Sequence, residues 1–360
     1  MKIGVITYHQ ALNYGAALQT YALQRYILSK YQDVDVEVID YKNHYLEMIK
    51  SYNNCISKNI LFSVLRIYNL AKKRHVFSEF YKKNVRLSKE YSKDSIEQVN
   101  EDYSTFIAGS DQIWNPRLNG NDSAYLLSFV KSKKIYSYAA SFGLRDVPDD
   151  CKDWFIHYLN RFNMISVREK SGLELLEKLK VQAPSRTDID PTLLLNQEEW
   201  NEICDNNFNS KNFVLVYSIV YSSDIIRIAK ECAKKKKMKV YYVGPFCMDR
   251  GIKYIPAPSV EKLIALFKNA EHTFVSSFHG TVFSIIYHKS FTAVMPYSDG
   301  RNERVLNLLR AFNLEKCIYN EKNMKIEVID NWDSVENKLR ILRKESEKYI
   351  EDIINENRTN

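Results

Sequence analysis

Short runs of β-type residues alternate with helix-length amphipathic segments along almost the whole chain, and no other feature constrains its fold as strongly. Parallel strands need a crossover connection, usually a helix, so this alternation implies βαβ units and mostly parallel sheets. In the first half, strands are predicted over Lys2–Tyr8, Val34–Asp40, Thr105–Ala108, Lys134–Ser141 and Met164–Val167. Helices are predicted over Ala16–Lys30, Asn59–Lys83, Asp150–Phe162 and Glu169–Lys180. The stretch from Pro184 to Asn196 holds two prolines and no sustained period, which marks a domain crossing. A second series then runs strand Phe213–Val220, helix Ser223–Lys236, strand Lys239–Val243, helix Val260–Lys268, strand Thr273–Ser276, helix Gly280–His288 and strand Phe291–Met295. The expected organisation is a Rossmann-like domain over residues 1–195, a second over 196–334, and a polar, charged helix over 335–360.

The six cysteines are scattered, form no CxxC pair and follow a start, MKIGVITYH, that lacks a signal peptide. They predict a reducing, cytoplasmic setting rather than a disulfide framework or a structural zinc site. No apolar run reaches the roughly 18 residues of a membrane-spanning helix. The net charge of +8 is uneven, because residues 50–90 hold ten Lys or Arg against only Glu79 and Glu90. Within that segment Leu61, Val64, Leu65, Tyr68 and Ala71 recur at helical spacing beside Lys72, Lys73 and Arg74. It reads either as a solvated helix packed on its own domain or as a basic amphipathic helix resting on an anionic membrane. Lys234–Lys237 reads as a solvated helix end, where cations complement the dipole.

Ligands of open parallel sheets lie beyond the carboxyl ends of the strands, so the residues just after each strand carry the functional candidates. After the first strand, Asn13 is a candidate helix cap, and Tyr14 and Gly15 stand where a helix amino end can meet an anion or a sugar hydroxyl; a plain capped turn explains the same residues. After the third, Asp111 and Gln112 can bond hydroxyls while Trp114 stacks on a sugar ring, the alternative being a buried Trp with Asp111 as a cap. After the fifth, Arg168 offers a guanidinium fork for a carboxylate or phosphate, unless it pairs with a neighbouring acid. In the second half, Ser276, Ser277, His279 and Gly280 form a strand-to-helix elbow with a titratable group exposed at its tip. The histidines show no HxH or HExxH spacing, and neither GxxxxGK[ST] nor GxSxG occurs, so the common metal, triphosphate and hydrolase motifs are absent.

Taken in order, NYGAALQTYAL at 13–23, GSDQIWNP at 109–116, YAASFG at 138–143, SVRE at 166–169, DPTLLL at 190–195 and SFHG at 277–280 resemble the polysaccharide pyruvyl transferase family. The resemblance implies an α/β fold of two Rossmann-like, doubly wound domains facing a cleft, like the GT-B glycosyltransferases. It implies phosphoenolpyruvate as co-substrate, a pyruvate ketal placed across two hydroxyls of a sugar in a cell-surface glycan or its lipid-linked precursor, and no cofactor or metal. Arg168 would reach in to grip the donor, with Ser276, Ser277 and Gly280 beside it, and His279 would be the acid or base. Asp111 would activate the acceptor, which Asn13, Tyr14, Gly15, Gln112 and Trp114 would help to bind. Many members carry an arginine two residues before this histidine, where Ser277 stands here; Arg301 and Arg304 are the nearest substitutes. A lipid-linked acceptor would give the basic segment a place at the inner membrane face. Two alternatives are a glycosyltransferase using a nucleotide sugar and a non-catalytic glycan-binding homologue.

Overall fold

The computed structural model describes residues 1–49, 60–295, 302–320 and 326–358. They form two compact units, each built on a five-stranded parallel sheet. The first sheet comprises β1 (Lys2–Ile6), β2 (Asp35–Tyr41), β3 (Leu87–Tyr91), β4 (Thr105–Ala108) and β5 (Lys134–Ser137), in the order β3-β2-β1-β4-β5. A pair, β6 (Ile165–Val167) and β7 (Ser185–Thr187), continues beyond β5 through isolated bridges from Tyr136 to Met164 and from Ala140 to Val167. The second sheet comprises β8 (Phe213–Tyr217), β9 (Lys239–Val243), β10 (Lys253–Tyr254), β11 (His272–Val275) and β12 (Phe291–Ala293), in the order β10-β9-β8-β11-β12. The two orders are the same when each sheet is counted from its own first strand. Strands buried on both faces explain the uninterrupted apolar runs: every residue of β4, β8 and β11 is buried.

Four of the longer helices begin at a residue whose side chain caps them. α1 (Tyr14–Lys30) starts at Asn13, whose Oδ1 accepts from Gly15 N at 2.8 Å. α2 (Ile60–Asn84), α3 (Lys152–Leu159) and α4 (Lys170–Lys178) follow in the first half of the chain. In the second half, α5 (Ser223–Lys235) is capped by Ser222 and ends on Lys234 and Lys235, α6 (Val260–Asn269) is capped by Ser259, and α7 (Phe278–Ile286) is capped by Ser277. α8 (Glu303–Ala311) and α9 (Asp333–Arg358) follow, and several shorter helices lie between these elements.

The domains are not contiguous in sequence, which departs from the expected division at 195 and 334. The crossing after Leu195 coincides with the boundary between the units, but α2 and α9 are each divided: α2 goes with the second unit up to Phe77 and with the first from Ser78, and α9 changes over after Arg340. The polar composition of α9 conceals a stripe of Tyr349, Ile350, Ile353 and Ile354, all buried, and Tyr349 donates its hydroxyl to Ser137 O at 2.9 Å. The basic segment is also more than a helix, since residues 87–91 form edge strand β3; residues 50–59 lie outside the described ones. On α2, Lys72 donates to Pro256 O at 2.8 Å, while Val64, Ile67 and Tyr68 are exposed. The edge strands β3, β7 and β10 lack the apolar alternation of a half-buried strand, which hides them from a sequence reading. Among the described residues no helix is long and apolar enough to cross a membrane.

Candidate functional site

In a 3-2-1-4-5 sheet the connections leave the central pair of strands in opposite directions, opening a crevice at their carboxyl ends. In the first unit this switch point lies between β1 and β4. Thr7 Oγ1 donates to Ser110 O at 3.1 Å across it, and Gln19 of α1 locks both sides: its Nε2 donates to Thr7 Oγ1 at 2.8 Å and its Oε1 accepts from Ser110 N at 3.1 Å. Ser110 Oγ donates to Ala139 O at 2.6 Å. Gly109 is required here, because a Cβ would lie 2.2 Å from Tyr138 O.

The strand ends then knit sideways. Asp111 bridges to Ala140 and Ala140 to Val167, with Ser141 N donating to Asp111 O at 2.9 Å and Arg168 N to Ala140 O at 3.0 Å. This row brings Asp111 and Arg168 together, although 56 positions separate them in the sequence. The Arg168 side chain is buried; its Nη1 donates to Asp190 Oδ2 at 2.7 Å, its Nε to Glu169 Oε2 at 3.4 Å, and its Nη2 lies 3.7 Å from Asp111 Oδ1. Asp190 Oδ1 in turn accepts from Thr192 N and Thr192 Oγ1, and Glu169 accepts from Ser141 Oγ. Burial works against charge on Arg168, yet Asp190, Glu169 and Asp111 outweigh it and hold the guanidinium above its ordinary pKa.

The guanidinium expected to grip a donor is paired with three carboxylates, the neighbouring-acid reading that the sequence also left open. The expectation for Trp114 is corrected by its burial. The residue is fully buried, donates Nε1–H to Tyr125 O at 3.0 Å and packs edge-on against Phe162, so it offers no face to a sugar. Asn115, rather than Asp111, caps the short helix Pro116–Asn119. The Gly15 N–H expected to meet a ligand serves the Asn13 cap, Tyr14 is buried, and Gln112 accepts from Asn115 Nδ2 at 3.3 Å. Glu169 and Asp190, which hold Arg168, were not singled out by the sequence reading. The aspartate of DPTLLL could have been found as a partner for the buried arginine of SVRE.

In the second unit the switch point lies between β8 and β11. Ser218 and Ser276 follow these strands and their hydroxyls meet at 2.7 Å. Ser277 is the N-cap of α7, its Oγ accepting from Gly280 N at 3.2 Å. The helix therefore begins two residues earlier than expected, and His279 sits inside its first turn, half-buried, with its ring edge-on to Phe278. A Cβ on Gly280 would lie 2.8 Å from Tyr217 Cδ1 and 3.1 Å from Val275 Cβ, so only glycine lets α7 approach the sheet this closely. Ser277 thus has a structural reason to be serine, since an arginine cannot supply the capping oxygen. Arg304 lies in the first turn of α8, which packs on α7; Arg301 lies outside the described residues. Among the described residues, no group of three or more His, Cys, Asp or Glu could hold a metal ion.

The sequence model of one family, polysaccharide pyruvyl transferase, matches residues 13–299. No curated protein sequence matches the chain. Among solved structures, the fold is similar to Staphylococcus aureus MnaA in its co-structure with UDP (TM-score 0.50, 13% identity, 90% of this chain and 86% of that one). It is also similar to Anabaena HepE in complex with UDP and glucose (TM-score 0.50, 9% identity, 98% and 99%). At these identities the likeness is one of fold, and the fold is that of the GT-B enzymes.

Proposed function

Because the chain belongs to the polysaccharide pyruvyl transferase family, we propose that it moves the three-carbon unit of phosphoenolpyruvate onto two hydroxyls of one sugar in a cell-surface polysaccharide or its lipid-linked precursor. The product is a pyruvate ketal, and phosphate is released. The observation that carries this reading is His279, held in the first turn of α7 beside the switch point of the second sheet.

Protonation of the donor's methylene carbon creates an oxocarbenium-like centre at the neighbouring carbon, and one sugar hydroxyl adds to it with loss of its proton. The carbon–oxygen bond to phosphate then breaks, and the second hydroxyl closes the ketal. Of the two hydroxyl protons released, one balances the new methyl group and the other leaves with phosphate. The scheme needs a group that both gives and takes a proton, a role assigned to the imidazole of His279. It calls for no cofactor. Asp111 takes the acceptor hydroxyl's proton, and Arg168 fixes that carboxylate and offsets its charge. With Arg168 committed to carboxylates, the donor's anionic groups are assigned to Arg304 and Arg301.

Purified protein with phosphoenolpyruvate and a panel of glycan acceptors is expected to release phosphate and form a ketal detectable by mass spectrometry. His279→Ala is expected to lower kcat by about 100-fold or more; unchanged turnover overturns the assignment. The UDP in both fold relatives favours one competing donor, a UDP-sugar. Thermal stabilisation by a UDP-sugar and not by phosphoenolpyruvate would establish that alternative. The exposed Val64, Ile67 and Tyr68 on α2, flanked by Arg66 and Arg74, support peripheral contact with an anionic membrane at its cytoplasmic face. Equal flotation with neutral and anionic vesicles would remove it.

A further inference from the structure

The fold leaves one buried hydroxyl beside the first switch point without a use. Tyr8 follows β1, is 4% exposed, and its hydroxyl has no hydrogen-bond partner among the described residues. Other buried tyrosines of this unit do better: Tyr41 donates to Asp122 at 2.6 Å, Tyr91 to Asp102 at 2.8 Å and Tyr103 to Glu37 at 2.6 Å. The hydroxyls of Tyr81 and Tyr138 are likewise buried without a hydrogen-bond partner, although those of Thr20 and Ser346 stand near them. A buried polar group without a partner costs stability and persists where something else needs it.

What surrounds Tyr8 identifies the missing partner. The Thr7–Ser110 hydrogen bond crosses from the end of β1 to the end of β4, and Tyr8 and Asp111 each lie one residue beyond it. Burial, then the negative fields of Tyr125, Asp111 and Asp122, hold the Tyr8 phenol well above its ordinary pKa, so it stays a neutral hydroxyl with a hydrogen to donate. Asp122 is already occupied, accepting from Tyr41, Asn43 and Ala124 N. The Asp111 carboxylate has Arg168 on one side at 3.7 Å and requires a donor on the other. A hydroxyl is the common group that accepts one hydrogen bond while donating another.

We infer that Tyr8 and Asp111 together bind one hydroxyl of a sugar at the first switch point, Tyr8 donating to the sugar oxygen and that oxygen donating to Asp111. This rests on the acceptor role proposed for Asp111 and extends it to a specific contact. A ligand lacking that hydroxyl leaves both groups unpaired, so the pair selects for the hydroxyl's presence as well as holding it.

The test uses the full chain and two independent readouts. Without ligand, Tyr8→Phe removes an unsatisfied group and is expected to raise Tm by roughly 2–4 °C, whereas Tyr41→Phe, which loses a made bond, lowers it. In calorimetry, at least one of the methyl pyranosides of glucose, galactose and mannose is expected to bind the wild type, and to bind Tyr8→Phe and Asp111→Asn at least about tenfold more weakly. A fall in Tm for Tyr8→Phe, wild-type affinity in that variant, or no pyranoside binding to the wild type each overturns the inference. Phosphoenolpyruvate is titrated separately: if it fails to stabilise the wild type while the pyranoside results hold, the donor assignment falls and the hydroxyl site stands.

Discussion

The two switch points share a strand order and differ in how they hold their polar groups. Beside the first switch point the ends of β4, β5 and β6 enclose a buried ionic knot, with Arg168 among Asp190, Glu169 and Asp111, and the unsatisfied phenol of Tyr8 follows β1. Between β8 and β11 the polar groups are neutral: the hydroxyls of Ser218 and Ser276 meet across the strands, Ser277 caps α7, and Gly280 lets the helix close on the sheet. The contrast teaches that one topology supports two kinds of site. The buried ionic network joins groups from the ends of several strands, and removing one partner leaves a charge uncompensated inside the protein, so it is costly to break. A capped helix start is written in a few consecutive residues and leaves His279 at its edge.

The sharpest way to break this contrast is to remove one partner of the buried arginine. Asp190→Ala leaves Arg168 inside the protein with less compensation and is expected to cost about 3–5 kcal/mol in urea unfolding, against about 1 kcal/mol for Ser218→Ala at the other switch point. Similar losses for the two variants would show that the sites are not different in kind.

A smaller effect comes from titration in the second sheet. His272, at the start of β11, is buried against Thr292 Oγ1 at 2.9 Å, and burial, with Lys236 adding to it, depresses its pKa to about 3. Below about pH 6.5 the unfolded chain takes up a proton that the folded form refuses, so stability falls by about 1.4 kcal/mol per pH unit as pH drops from there towards the folded value. His272→Gln, which keeps a polar group near Thr292 without titrating, is expected to flatten the acid limb of Tm against pH between about 6 and 4. An unchanged limb would place the acid sensitivity elsewhere. Smallest is the cap: Ser277→Ala is expected to lower stability by about 1 kcal/mol, and Ser277→Arg by a similar amount. If Ser277→Arg costs nothing, the cap does not explain why serine stands where many family members carry arginine.

Much of this was legible in the chain itself. The alternation of strand and helix patterns, the crossing after Leu195 and the elbow at Ser277–Gly280 are local, set by backbone propensity, capping chemistry and the apolar faces that each segment must bury. What only tertiary structure decided are the quantities that depend on neighbours far away in sequence. Trp114 looked like a sugar platform until Tyr125, Phe142 and Phe162 closed around it. Arg168 looked free until three carboxylates from two other loops and its own neighbour reached it, because the ends of β4, β5 and β6 knit into one row. Sequence determined which groups stand at the strand ends; packing determined which of them remain available to a ligand, since burial and pairing are properties of a site's surroundings rather than of the residue that occupies it.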